Sequence, residues 1–196
     1  MDDLESIWFL SKENPVTLSV IKALFFCLNI RDPLTANHSI NMAYYSYHLA
    51  EKFDRSNAVL YYFGSLTHDI GKIGMDDRIL KGKEKLSFDE REYLRQHVID
   101  GCRILSSLKM PNTILEIVKY HHERYDGSGY LEELHGENIP LAGRITAISD
   151  TFSALTSDRP YSRAMSKERA IEIMQRDSMQ FDPEILEYFI QSIFNQ

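Results

Sequence analysis

The chain has 196 residues, room for one large domain or two small ones, and with 43% hydrophobic and 26% charged side chains it can bury an ordinary core. A formal net charge of −7 argues against a long nucleic acid as main partner, because such binding needs clustered Lys and Arg to displace counterions; a small phosphate ligand stays open if metal ions supply local positive charge. The acidic start MDDLESIW is not a secretory leader, and Cys27 and Cys102, with no CxxC, read as two buried thiols in a reducing compartment, so a soluble cytoplasmic protein is expected.

In chain order, residues 16–30 carry apolar side chains at helical spacing. The run 18–30 is interrupted by Lys22 and is too short to span a bilayer, so no membrane partner is expected. RDPLTANHS at 31–39 reads as a break and restart, with Thr35 and Asn37 as candidate caps. A helix over 38–53 follows, with His38, Met42, Tyr45 and Leu49 along one stripe. Residues 57–69 form the next helix, which Gly71 and Gly74 end. Ser87 and Glu90 make a capping box for a helix running to about 108. Pro111 opens another over 111–122. The stretch 124–140 reads as a loop, 141–156 as a helix, 157–162 as a turn, and 166–176 and 183–194 as the last helices. One all-α domain is the economical reading.

Five of the seven histidines, His38, His68, His97, His121 and His122, fall at places where chemistry is expected; His48 and His135 read as structural. Adjacent residues on a helix are about 100° apart, so His121 and His122 converge only by reaching different sides of one centre. A metal cluster is such a centre. His68 and Asp69 stand together in an apolar helix, and Lys72 can share their face. A buried ion pair stabilises poorly, so metal binding by His68 and Asp69, with Lys72 facing an anionic ligand, explains the set better. Asp150 ends ITAISD in a helix otherwise read as core. Imidazoles mixed with carboxylates suit Mn, Fe, Co, Ni or Zn, and the lack of a thiolate argues against a structural zinc site. A carboxylate can bridge two ions, and two ions roughly 3.5–4 Å apart would activate water and clamp a phosphoryl oxygen.

The stretches HDIGKIG (68–74), HVIDG (97–101), HHERYDGSGY (121–130), IPLAGRITAISD (139–150) and ALTSDRPYSRA (154–164) together resemble the HD-GYP family, a branch of the HD superfamily of metal-dependent phosphohydrolases. The resemblance implies an HD helical core with additional N- and C-terminal helices. The HD-GYP-like domain would cover 31–196, and 1–30, with Trp8, would be a helical extension packed on it. His38, His68, Asp69 and Asp150 would form the first metal site. Asp69 would bridge to a second site made by His97, His121 and His122, and the turn D-G-S-G would set the wall of the substrate pocket. A third metal in some relatives uses a Glu where this chain has Leu34, so two divalent ions are expected, Fe or Mn first, with Zn, Ni or Co as alternatives.

The implied activity is hydrolysis of a cyclic dinucleotide, cyclic di-GMP first, to linear pGpG and/or GMP. Asp69 and Lys72 would be catalytic, and Lys72, Arg159 and Arg163 would contact substrate. Departures fall around the substrate. Leu131 stands where the family's name-giving Pro is expected, Met75 is followed by Asp76 rather than Pro, Ser153 replaces an Asp, and Ser162 replaces a basic residue. They motivate a second reading, a catalytically weak or inactive cyclic-dinucleotide sensor or interaction module that keeps its metal site. Another phosphohydrolase substrate, such as a nucleotide monophosphate, ranks third, and a di-iron oxygenase last. A signalling protein or a second copy could dock through the N-terminal helices.

Overall fold

A computed structural model of the chain describes residues 15–82, 87–158 and 163–194. Trp8, Arg159 and Ser162, singled out above, lie outside the described residues. Among the described residues the fold is all-α, and no helix is long and apolar enough to cross a membrane.

Helix α1 (Pro15–Arg31) is apolar on more than one face. Ile21 and Leu28 are fully buried, whereas Val16, Phe26 and Ile30 are exposed. Helix α2 (Pro33–Phe53) begins five residues before the expected start at 38. The cap is Asp32, not Thr35 or Asn37: its carboxylate accepts from the Leu34 and Thr35 amides and from the Thr35 hydroxyl, at 3.2, 3.3 and 2.6 Å. Pro33 is no break, because the first helical position has no amide bond to lose.

Helix α3 (Ala58–Thr67) is the central element, with almost every side chain buried, packed between α2 and α6 (Asn112–Tyr120). A 3-10 turn, Ile70–Gly74, follows it. Next comes the short helix α4 (Asp77–Lys81), capped by Asp76 and absent from the sequence reading because five residues show no period. Arg31, at the end of α1, ties this region down, donating to the Met75 carbonyl at 2.7 Å and pairing with Asp77. Helix α5 (Phe88–Ser107) has the expected capping box. Helix α6 ends at Tyr120, so His121 and His122 sit in the turn beyond it rather than on the expected helix.

Helix α7 (Leu141–Thr156) crosses α2 and α6 and is covered by α8 (Lys167–Arg176) and α9 (Pro183–Phe194). The core forms two clusters. One joins α7, α8 and α9 to the C-terminal part of α2, with Tyr45, Phe152 and Phe189 meeting edge to face at 5.0–5.8 Å. The other joins α1, α3, α5 and α6. Both cysteines are free, but neither is the buried thiol expected: Cys27 is exposed on the outer face of α1 and Cys102 is half-buried.

Candidate metal centre

Six segments deliver polar side chains to one place. His38 comes from α2, and His68 and Asp69 leave the end of α3. Lys72 sits in the 3-10 turn, and His97 comes from the middle of α5. The turn after α6 supplies His121 and His122, and α7 supplies Asp150. His38, His68, Asp69, His97 and His121 are all buried. Such a concentration of polar groups is costly unless they are partnered.

The ligating atoms fall into groups whose members all lie within 4.8 Å of one another: His38, His68 and Asp150; His97, His121 and His122; and His68, Asp69 and His121. The first two groups share no residue, and Asp69 stands between them. Its Oδ2 lies 3.2 Å from His68 Nε2, and its Oδ1 lies 3.2 Å from His97 Nε2. Oδ1 is fully buried and has no hydrogen-bond partner among the described residues. An orphaned carboxylate oxygen facing imidazole nitrogens is what a bound cation would satisfy. Neutral imidazoles and carboxylates, with no thiolate, are also the donor set of a divalent transition metal. The residues therefore fit a divalent metal site.

The chain orients its own imidazoles. His68, His97 and His121 each donate Nδ1–H to the carbonyl three residues earlier, Ser65, Leu94 and Val118, at 2.7, 2.6 and 2.9 Å. A carbonyl only accepts, so Nδ1 carries the proton and Nε2 keeps its lone pair for the centre. His38 is held differently: Nε2 lies 2.8 Å from Asp150 Oδ1, and Nδ1 lies 2.9 Å from the Ser153 hydroxyl. Ser153, read above as a departure beside the substrate, is thus fully buried behind His38.

Electrostatics follow from this crowding. Burial, reinforced by His68 and His97, pushes the His121 imidazole down to about 3. Burial also lowers His97. For His68 burial opposes the charge, but Asp69 and its hydrogen bond outweigh burial and raise it. Burial would raise Asp69, yet Lys72, with Nζ 2.6 Å from Oδ2, and then His68 hold it well below the carboxylate range. Asp150 is likewise held low by its bond to His38, against burial.

A cleft of about 290 Å³ opens onto the centre, lined in part by Lys72, Leu94, Tyr130, Thr151 and Leu155. Its wall from the 124–140 loop is Tyr130 rather than the D-G-S-G turn before it. Tyr130 stacks on His122, with centroids 4.6 Å apart and planes at 30°, and the Arg95 guanidinium lies 4.7 Å from its ring centre. Gly129 makes this possible, because a Cβ there would sit 2.5–2.6 Å from the backbone of His122–Arg124. Buried Glu123 fixes the return, accepting from the Glu132 and Leu134 amides at 2.7 and 3.1 Å. Tyr130, Arg95 and Glu123 were missed in the sequence reading, although two of them lie inside HHERYDGSGY. Arg163 is exposed and is not among the described residues lining the cleft. Leu34 is exposed and brings no donor. A larger groove, about 600 Å³, lies between the 125–135 loop and α9, but no group of metal-binding side chains among the described residues converges there.

A family model described as "HD domain" matches residues 27–185. The chain is 36% identical over 187 residues to a cyclic di-GMP phosphodiesterase of Thermotoga maritima, covering 93% of this chain and 51% of that protein. It is 35% identical over 162 residues to a 3'3'-cGAMP-specific phosphodiesterase of Vibrio cholerae, covering 80% of this chain and 31% of that one. The chain thus spans about half the length, or less, of these relatives. A solved HDG"Y"P protein from Bdellovibrio bacteriovorus shares the fold, with a TM-score of 0.68 at 18% identity over 97% of this chain and 60% of that chain.

Proposed function

Because the chain belongs to the HD-domain family, in its HD-GYP branch, we propose that it is a dinuclear-metal phosphodiesterase that hydrolyses a cyclic dinucleotide, cyclic di-GMP first, to linear pGpG and/or GMP. The observation that carries this reading is Asp69, placed between two separate histidine groups with one oxygen toward each and Oδ1 unsatisfied. In this reading His38, His68, Asp69 and Asp150 hold the first ion, and Asp69, His97, His121 and His122 the second. Fe or Mn is the first choice for both, with Zn, Ni or Co as alternatives. Ions so held supply a water nucleophile at neutral pH and offset charge on the phosphoryl oxygens.

The chain's own groups do the rest. Carbonyls behind three imidazoles fix their tautomers before any ligand arrives, so no reorientation is needed at the moment of binding. Lys72 lines the cleft beside Asp69 and offers its ammonium to a phosphoryl oxygen. Burial, with Asp69 and Asp150 nearby, raises the Tyr130 phenol, so it stays protonated and neutral. The cleft is at the small end for ligand pockets, which suits one phosphodiester at the centre with the bases outside. Both relatives named above carry cyclic-dinucleotide names, one for cyclic di-GMP and one for cyclic GMP-AMP, and this supports the substrate class.

One observation favours the alternative of a weak or inactive sensor: Arg163, expected to reach substrate, is exposed and is not among the described residues that line the cleft. Product analysis separates the two readings. The protein, loaded anaerobically with Mn²⁺ or Fe²⁺, is incubated with cyclic di-GMP and with 3'3'-cyclic GMP-AMP. Linear product, absent in Asp69→Ala, is expected. A preparation holding two ions that binds dinucleotide and forms no product refutes the enzyme and leaves the sensor. For partners, the exposed Val16, Phe26 and Ile30 on α1 support docking of a signalling protein or a second copy through the N-terminal helices, which light scattering of Phe26→Glu against wild type would test.

A further inference from the structure

His38 is the one imidazole of the first group whose Nδ1 meets a side chain rather than a carbonyl of its own segment. Helix α7 grips this ring twice. Asp150 Oδ1 lies 2.8 Å from Nε2, and Ser153 Oγ, three residues on and therefore on the same face, lies 2.9 Å from Nδ1. The same hydroxyl is 2.9 Å from the His38 carbonyl oxygen. A hydroxyl has one proton and lone pairs to accept with. The carbonyl cannot donate, so the Ser153 proton goes to it, and the lone pairs left over face Nδ1. Nδ1 then carries a hydrogen, so it is Nε2, hydrogen-bonded to Asp150 Oδ1 in the metal-free chain, whose lone pair a bound ion would take in place of that proton.

We infer that Ser153 is the positioning residue that holds His38 in its metal-binding tautomer, doing for the first site what the Leu94 and Val118 carbonyls do for the second. The inference rests on the dinuclear reading above. The family pattern places an Asp here, and a carboxylate could accept from Nδ1 but could not also donate to the His38 carbonyl. Serine satisfies both from one atom in a fully buried position.

The test is metal binding rather than turnover. Mn²⁺ is titrated into the metal-free full chain by calorimetry, with bound metal counted by elemental analysis. Ser153→Ala removes the acceptor without a bulky replacement, so the helix stays intact. It is expected to weaken one of the two ions by ~10–100-fold, the usual cost of losing the partner behind a ligating imidazole, and to leave the other ion unchanged. Ser153→Thr, which returns the hydroxyl, restores the lost affinity. In a His38→Gln background, Ser153→Ala costs nothing further, because the ring it orients is gone. A purely structural serine would lower the affinity of both ions together and would still do so in the His38→Gln background. Two ions bound to Ser153→Ala with wild-type affinities overturn the inference while the dinuclear reading stands. Failure of wild type to bind two ions overturns that reading first, and this one with it.

Discussion

Gly71→Ala tests whether the centre depends on the close seating of the 3-10 turn Ile70–Gly74 against α5. A Cβ at Gly71 would lie 1.9 Å from the His97 carbonyl oxygen, 2.7 Å from the Gly101 nitrogen and 2.8 Å from the His97 carbonyl carbon. All three are backbone atoms, so no side chain can swing aside. Ordinary contact needs about 3.5 Å, so turn and helix must part by more than about 1 Å. Overpacking of this kind costs about 1–3 kcal/mol, and rigid backbone puts it at the upper end. Alanine's lower unfolded-state entropy returns about 0.4–1 kcal/mol. The net loss of about 2 kcal/mol corresponds to a fall in Tm of about 4–8 °C for a chain of this size. The same displacement separates His97 from Asp69, now 3.2 Å apart, by more than the ~0.5 Å a metal constellation tolerates. Thermal melts in chelator, paired with Mn²⁺ titration, should therefore show a lower Tm and a weakened ion at the His97 group. Gly101→Ala is the control, because its Cβ would meet the Val118 Cγ1 methyl at 3.0 Å, a side chain that can move, and it should cost about 1 kcal/mol or less. A Gly71→Ala protein that melts with wild type and keeps both ions would refute the reasoning.

Lys72→Ala should keep its metal and lose roughly 10²–10³ in kcat, the usual cost of removing one donor to a developing negative charge; an unchanged rate by product chromatography would take Lys72 out of the phosphate site. Glu123→Ala strips the acceptor from two amides at 2.7 and 3.1 Å. At about 1–3 kcal/mol for each donor left without a partner, it should lower Tm clearly and speed hydrogen exchange at the Glu132 and Leu134 amides, and native protection there would show the loop is held by something else. The metal-free protein should lose stability as pH falls below 6.5. The unfolded chain takes up protons there that His97, His121 (at about 3) and His122, all lowered first by burial, refuse in the fold. His68 is raised and has the opposite sign, its contribution being present below 6.5 and fading as pH rises through its folded value. Asp69 and Asp150 are lowered, so their contribution is lost only below about 3.8. Three lowered histidines outweigh one raised between about 6.5 and 4, and a urea midpoint no lower at pH 5 than at pH 7, with chelator present, would contradict this balance.

Of the seven candidate ligands, five stand out by local signals, while His38 and His97 are singled out as ligands only through the resemblance. His68 adjoins Asp69, His121 adjoins His122, and Asp150 stands out as a carboxylate inside an apolar helix. Most of the helices were legible from their period for the same reason. What the sequence hid depends on partners far along the chain or on a choice between two local devices. Asp32 competes with Thr35 and Asn37 for the cap of α2, and only the path of the backbone shows that Asp32 holds it. Ser153 reads as a substituted recognition residue until α2 and α7 pack and bring it to His38, 115 positions away. The Arg95–Tyr130–His122 stack needs α5 and the 124–140 loop to meet, and no periodicity announces that.

The paired histidines show how local and distant constraints combine. On a continuous helix His121 and His122 would diverge, so in the sequence they converge only by reaching different sides of one centre. The fold instead ends α6 at Tyr120 and sets the pair in a turn, where their ring centres come within 4.0 Å. His121 is locked inward by its bond to the Val118 carbonyl. Among the described residues no such carbonyl meets His122; its position comes from Tyr130 stacked on one side and Asp150 Oδ2, 4.0 Å from Nδ1. The two rings are therefore governed by different devices, one set by α6 itself and one by the returning loop. A perturbation of the loop, such as Glu123→Ala, should reach the centre through His122 while leaving His121 in place.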